Sequence, residues 1–389
     1  MKFDFDLPID RRGTASLKWD TPDGVIPMWV ADMDFPTAPA VREAIESRAA
    51  HGVFGYSILP DEWASAYVGW WRDRHGATFA PDSLVFCTGV IPAISSAVRK
   101  LTTPGERVLL QTPVYNIFFN SVVNNGRFVL ESPLLYENGE YRVDWQDLEA
   151  KLSDPQTTLM ILCNPHNPIG KIWDRATLSR IGDLCQKYGV TVIADEIHCD
   201  LTDPGKNYIP FASVSDVCRD LSVSCLAPTK AFNLAGISTA AVMVPNPRLR
   251  HKMWRALNTD EVAEPNAFAA AAAIAAFTRG GEWLDALRAY LAENKEYVRR
   301  TLAQTCPAVR VVPSEATYLL WLDCSALAED ASPLADYLKD AHKVYLSAGA
   351  QYGAGGRSFL RLNVACPMAT LREGVARLAR GLAAFSDPA

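Results

Sequence analysis

The sequence has no apolar run of the roughly 20 residues that a bilayer span needs. Its longest alanine-rich stretch, residues 267–277, stops well short and is expected to form a buried helix. There is no excess of positive charge either: the formal net charge is −6, which argues against a nucleic-acid footprint, since that would need a basic face. Cysteines are present but never in the C-x-x-C spacing of metal or redox motifs. Nine of them (Cys87, Cys163, Cys185, Cys199, Cys218, Cys225, Cys306, Cys324 and Cys366) are scattered, mostly inside apolar runs. Their number is odd, so a disulfide framework is not expected, and the usage points to a reducing compartment. The start, Met1-Lys2-Phe3-Asp4-Phe5-Asp6, is charged and lacks the apolar centre of a secretory signal. A cytoplasmic protein is the expectation. No repeat or low-complexity linker divides the chain.

What is there is an alternation. Short apolar runs at residues 84–87, 107–111, 127–131, 159–163, 190–194, 221–225 and 239–244 are separated by amphipathic segments, such as 175–187 with Leu178, Ile181 and Leu184 on one face. Continuous apolar strands alternating with helices predict a mostly parallel sheet covered on both sides, an α/β fold. After Gly280-Gly281 the pattern changes to a long helix at 282–303, strands at 309–312, 318–322 and 359–362, and a final helix at 369–384. That is the pattern of a smaller α+β unit. The expected division is a large domain at 45–280 and a small one built from 1–44 and 281–389. The first 40 or so residues, loop-like in composition, are expected to have no sheet of their own.

Several strand ends carry candidate chemistry. Lys230 lies in Leu226-Ala227-Pro228-Thr229-Lys230-Ala231-Phe232-Asn233-Leu234-Ala235-Gly236, just after an apolar strand. Open α/β sheets bind ligands at such carboxyl ends. A desolvated lysine there could form an imine, although on the local sequence alone an ordinary surface lysine at a strand end is the favoured reading. Asn164-Pro165-His166-Asn167-Pro168-Ile169-Gly170 follows another strand; it reads as a tight turn, or as a device aiming the Asn167 amide at the same edge. In Val192-Ile193-Ala194-Asp195-Glu196-Ile197-His198 two adjacent carboxylates end a buried strand, which is costly unless one has a cationic partner. A protonated pyridine nitrogen would be such a partner for Asp195, and His198 could approach the same ring.

These motifs, in this order, resemble the fold-type I, aspartate-aminotransferase-like enzymes that use pyridoxal 5′-phosphate (PLP). More narrowly they resemble the MalY/PatB-type cystathionine β-lyase (C–S lyase) branch. Asp10-Arg11-Arg12-Gly13-Thr14, Pro27-Met28-Trp29-Val30-Ala31-Asp32-Met33-Asp34-Phe35, Val53-Phe54-Gly55-Tyr56 and Phe359-Leu360-Arg361-Leu362-Asn363 extend the likeness over nearly the whole chain. The resemblance implies that Lys230 is the Schiff-base lysine and Cα base, that Asp195 pairs with the pyridinium, and that Asn167 bonds the ring oxygen. It places His198 near the ring and Tyr115 stacked on it, with Gly89, Val90, Ile91 and Thr229 around the phosphate. Arg361 would grip the substrate carboxylate, with Asn167, Trp29 and Tyr56 also lining the substrate site. Tyr56 would further reach the phosphate of a neighbouring subunit, making a homodimer with a shared site. Two positions depart from the wider fold: Ala227 and Ser238 stand where many relatives place a serine and an arginine on the phosphate. This leaves the phosphate without an identified cation.

The implied reaction is β-elimination from S-substituted L-cysteines, giving thiol, pyruvate and ammonia. The same residues could serve an aminotransferase, which is the alternative. A regulatory protein using the fold as a scaffold would be expected to lose Lys230, Asp195 or Arg361, and all three are present. No metal is expected.

Overall fold

The computed structural model describes residues 3–386; Met1 and Lys2 of the charged start lie outside them. Strands form where the apolar runs predicted them. Leu84–Cys87, Arg107–Leu110, Phe128–Glu131, Thr157–Cys163, Thr191–Asp195, Ser222–Leu226 and Ala240–Met243 make one seven-stranded sheet. Across it the order is 84–87, 240–243, 222–226, 191–195, 157–163, 107–110, 128–131. Ala240–Met243 runs antiparallel to both its neighbours, and the remaining pairs are parallel.

The central strands show why apolar runs, rather than alternating ones, were needed. Along Thr157–Cys163 successive side chains point to opposite faces. Leu159, Ile161 and Cys163 pack with Ile94 and Val98 of the helix Val90–Leu101. Met160 and Leu162 pack with Leu178 and Ile181 of the helix Arg175–Tyr188. That second helix starts where Asp174 accepts the Thr177 N–H at 2.7 Å and stops at Gly189, whose left-handed φ of 71° closes the last turn. Both faces are therefore buried.

Leu319–Asp323 and Phe359–Asn363 form the centre of a separate four-stranded antiparallel sheet, with Arg310–Val311 and Ser347–Ala348 at its edges. The long helix Gly281–Thr305 and the last one, Met368–Ser386, follow the predicted pattern. The alanine-rich run is a largely buried helix, Ala269–Arg279.

One expectation needs correction. The amino-terminal segment does join a ladder: Ile26–Pro27 pairs in parallel with Val344–Tyr345. The Ile26 and Met28 N–H groups donate to Lys343 and Tyr345 carbonyls at 2.9 and 2.8 Å. Pro27, which has no N–H, falls between them where none is required, so its presence hid the strand. A hairpin, Leu135–Glu137 with Glu140–Arg142, is also additional; Asn138-Gly139, both at positive φ, turn it. Among the described residues no helix is long and apolar enough to cross a membrane, and all nine cysteines are free and buried.

Candidate active site

Because six of the seven strands share a direction, their carboxyl ends meet at one edge of the sheet. Thr88-Gly89 follows Cys87, Tyr115 follows the Leu110 end, Asn167 follows Cys163, Asp195 is itself a strand end, and Thr229-Lys230 follows Leu226. A cavity of about 300 Å³ opens there, lined among others by Thr88, Gly89, Val90, Ile91, Tyr115, Asn167, Asp195, His198, Thr229 and Lys230. The chain thus brings together residues spread over more than a third of its length.

Lys230 Nζ donates to the Ala31 carbonyl at 2.6 Å. Burial lowers its pKa to about 8, with the Arg361 charge acting in the same direction and Asp32 and Asp195 opposing it. Asp195 is raised to about 6, again by burial, relieved in part by the Ile197 N–H that its Oδ1 accepts at 3.1 Å. Its neighbour Glu196 points elsewhere and accepts the Phe211 N–H at 2.7 Å. Burial raises it too, to about 7. His198 is pushed down to about 3, by burial first and then by Lys230 and Arg361. Its Nδ1 is buried without a hydrogen-bond partner.

Arg361, on the central strand of the small sheet, donates Nη1 to Asn167 Oδ1 at 3.2 Å and Nη2 to the Trp29 carbonyl at 2.8 Å. Its Nε, also buried, is unpartnered. The Asn164–Gly170 turn that aims Asn167 closes through Gly170, whose φ is 68°. A Cβ there would meet Ser314 Cβ at 2.5 Å, so the close approach to the loop between two strands of the small sheet requires glycine.

At the other end of the cavity the helix Val90–Leu101 begins on Gly89 with no side-chain cap, leaving main-chain N–H groups free for an anion. Ser238 lines the cavity; Ala227 is fully buried and does not. Among the described lining residues Lys230 is the only lysine or arginine.

Three expected residues are not among those lining this cavity: Arg361, which is joined to it through Asn167, and Tyr56 and Trp29. Tyr56 is 103% exposed and lines a different surface depression with Phe54 and Phe268. The Trp29 ring stacks on Tyr345 with centroids 4.8 Å apart, so it is the Trp29 carbonyl that meets Arg361. The Ala31 carbonyl was not foreseen, nor was Tyr318, whose hydroxyl donates to it at 2.9 Å. Asn363, inside a motif already singled out, donates to the Val30 and Asp32 carbonyls at 2.6 and 2.7 Å. Together these groups hold the 29–32 main chain over Lys230. No residue type announces a carbonyl contact, so only Asn363 left a trace in the sequence.

The comparisons decide what this assembly belongs to. Residues 23–378 match the model of the family described as aminotransferase class I and II. This chain belongs to that family. Within it, the chain is 44% identical over 97% of its length to cystathionine beta-lyase PatB of Bacillus subtilis, covering 99% of that protein. It is 36% identical to protein MalY of Escherichia coli, over 98% of this chain and 99% of that one. Cystalysin from Treponema denticola, solved with a pyridoxal 5′-phosphate cofactor, superposes with a TM-score of 0.95 at 30% identity, covering 98% and 99% of the two chains. The aminotransferase-like, mixed α/β fold expected from the motifs is therefore the fold observed.

Proposed function

We propose that this protein is a PLP-dependent carbon–sulfur lyase that cleaves S-substituted L-cysteines such as L-cystathionine to a thiol, pyruvate and ammonia. The observation that carries the reading is Asp195, a buried carboxylate facing a ligand-sized cavity with no cation hydrogen-bonded to it. A protonated pyridine fits that need, an anion fits the uncapped helix start, and a carbonyl carbon fits Lys230. The names of the relatives PatB and, among solved structures, a PLP-bound C–S lyase from Staphylococcus hominis support the same activity.

The chemistry PLP supplies when bound is an electron sink for the pair left at Cα of an amino acid. This chain's residues do the rest. Lys230 would hold the cofactor and would take the Cα proton on Nζ; in the free protein a pKa near 8 keeps part of the amine neutral at neutral pH. Asp195 holds the proton on the pyridine nitrogen. Asn167 would offer its amide to the ring oxygen, and Tyr115 and His198, which line the same cavity, would hold the ring. Thr229 and the main chain of Gly89, Val90 and Ile91 receive the phosphate. Arg361, buried and forked, takes the substrate carboxylate, exchanging its Asn167 and Trp29 bonds for it and gaining one for Nε. Trp29 and Tyr56 complete the substrate site.

Tyr56, with exposed Val53, Phe54 and Ile58 beside it, supports a homodimer in which it reaches the partner's site. Nine buried free thiols support a cytoplasmic location. The two sheets support a division into 45–280 and 1–44 with 281–389.

Incubation with L-cystathionine, with and without a 2-keto acid, tests the reaction. Pyruvate and free thiol should form in equal amounts without the acceptor. Turnover only in its presence would make the protein an aminotransferase instead.

A further inference from the structure

A second polar cavity lies next to the turn that carries Asp195 and His198. It has a volume of about 230 Å³, and His75, Cys199 and Asp200 stand in its wall. The geometry points to a binding site there for a divalent ion that accepts nitrogen, sulfur and oxygen together, of which Zn²⁺ is the type.

The three side chains offer His75 Nε2, Cys199 Sγ and an Asp200 carboxylate oxygen, all within 4.8 Å of one another. Around one tetrahedral ion bonded at about 2.0–2.3 Å, such atoms would draw together to about 3.3–3.7 Å. Cys199 and Asp200 are adjacent in the 195–202 turn, whereas His75 ends the helix Asp61–His75, so the site would join two distant parts of the chain.

Asp200 is only half satisfied. Its Oδ1 accepts from Trp70 Nε1 at 2.9 Å and lies 2.9 Å from His75 Nε2. Its Oδ2 is buried with no partner, although the side chain is only 2% exposed. An unused carboxylate oxygen beside a cavity is an unmet demand for a cation or a donor.

The cations of the rim do not bond to it: they are directed to other partners, with Arg74 and Arg288 sharing one carboxylate. Arg74 is held by Asp285 at 2.6 Å, Lys206 by Glu315 at 3.0 Å, and Arg288 by Thr202 and Asp285. A Zn²⁺ ion would meet one negative charge on Asp200 and a second when the Cys199 thiol gives its proton to solvent as the Zn–S bond forms. Three protein ligands leave a fourth position for water from the cavity. The ion would not touch the PLP cavity, but it would fix the turn whose other end holds Asp195.

The test uses the holoprotein, stripped with a chelator and desalted, with Zn²⁺ as the probe and a chromophoric zinc indicator as competitor. One zinc per chain should bind, with release of one proton, and excess Mg²⁺ should not displace it. Co²⁺ in its place should show the d–d bands of a tetrahedral site. Cys199→Ser and His75→Gln should each weaken zinc binding by more than about tenfold, with the cofactor absorption of the folded enzyme retained. A wild-type protein that takes up no zinc overturns the site. So does an affinity unchanged in either variant, which would put the metal on other groups. None of these readouts depends on which substrate the enzyme cleaves.

Discussion

Two lysines in this chain, Lys230 part-buried and Lys295 fully covered, feel desolvation to the same physical effect and to different ends. Lys230 and Lys295 both have their pKa lowered to about 8 with burial as the largest cause. Lys295, on the long helix Gly281–Thr305, bonds Asp203 at 2.5 Å and the Ala316 carbonyl at 3.2 Å. It is fully covered and lines none of the cavities described above. Lys230 has one carbonyl for company, a second cation nearby in Arg361, and a cavity in front of it. A depressed pKa therefore does not separate a structural lysine from a catalytic one. The neighbours do: a carboxylate in hydrogen-bond contact holds the charge in place, while a neighbouring cation and open space leave the amine free to react.

The comparison can be broken most directly by removing each amine in turn. Lys230→Ala should lower thiol release by about a thousandfold or more, the scale of a lost proton-transfer group. Its unfolding free energy should change little, since the variant also removes an amine that burial penalises. Equal loss of activity in a Lys295→Ala protein would erase the distinction. We expect instead that Lys295→Ala loses about 3 kcal/mol in urea unfolding, leaving kcat per folded molecule within about a factor of two.

A second contrast, between holo and cofactor-free protein, rests on Asp195. Its folded pKa of about 6 lies above the ordinary 3.8. The native state therefore binds more protons than the unfolded chain between those values, and stability falls as pH rises through that window. In cofactor-free protein Asp195→Asn should gain about 3 kcal/mol over wild type between pH 4 and 7, read from paired urea titrations. Glu196 is raised to about 7, in part by the Asp195 charge, so its own cost falls in the variant and adds to the gain. In the holoprotein the gain should vanish or reverse, because the pyridine nitrogen then partners the carboxylate.

The smallest effect concerns the two cations. Arg361 lowers the Lys230 pKa, so Arg361→Met in cofactor-free protein should raise it by a fraction of a unit, measured by the pH dependence of lysine labelling. A shift downward would mean that Arg361 does not act on Lys230 through its charge. The same substitution should leave Lys295 unmoved.

Much of this was legible in order along the chain. The strands were visible because a sheet buried on both faces demands unbroken apolar runs, as at residues 159–163. The strand-end motifs around Asn167, Asp195 and Lys230 were visible because a parallel sheet sends its carboxyl ends to one edge. The strand at Ile26–Pro27 was not, since its two hydrogen bonds come from residues flanking a proline. Nor was the meeting of His75 with Cys199 and Asp200, which depends on where a helix ends.

The sequence by itself determined the fold class, the family and the residue types at the site, because local patterning and side-chain chemistry are properties of short stretches. Only the tertiary structure decided which atoms face one another. It set the Ala31 carbonyl on Lys230 and the Trp29 carbonyl on Arg361, sent Tyr56 outward while turning Asn167 inward, and gave Lys295 a hydrogen-bonded carboxylate where the carboxylates near Lys230 make no such bond. The physical reason is that a buried charge answers to whatever packs within hydrogen-bond range, and those neighbours come from segments that the sequence keeps far apart.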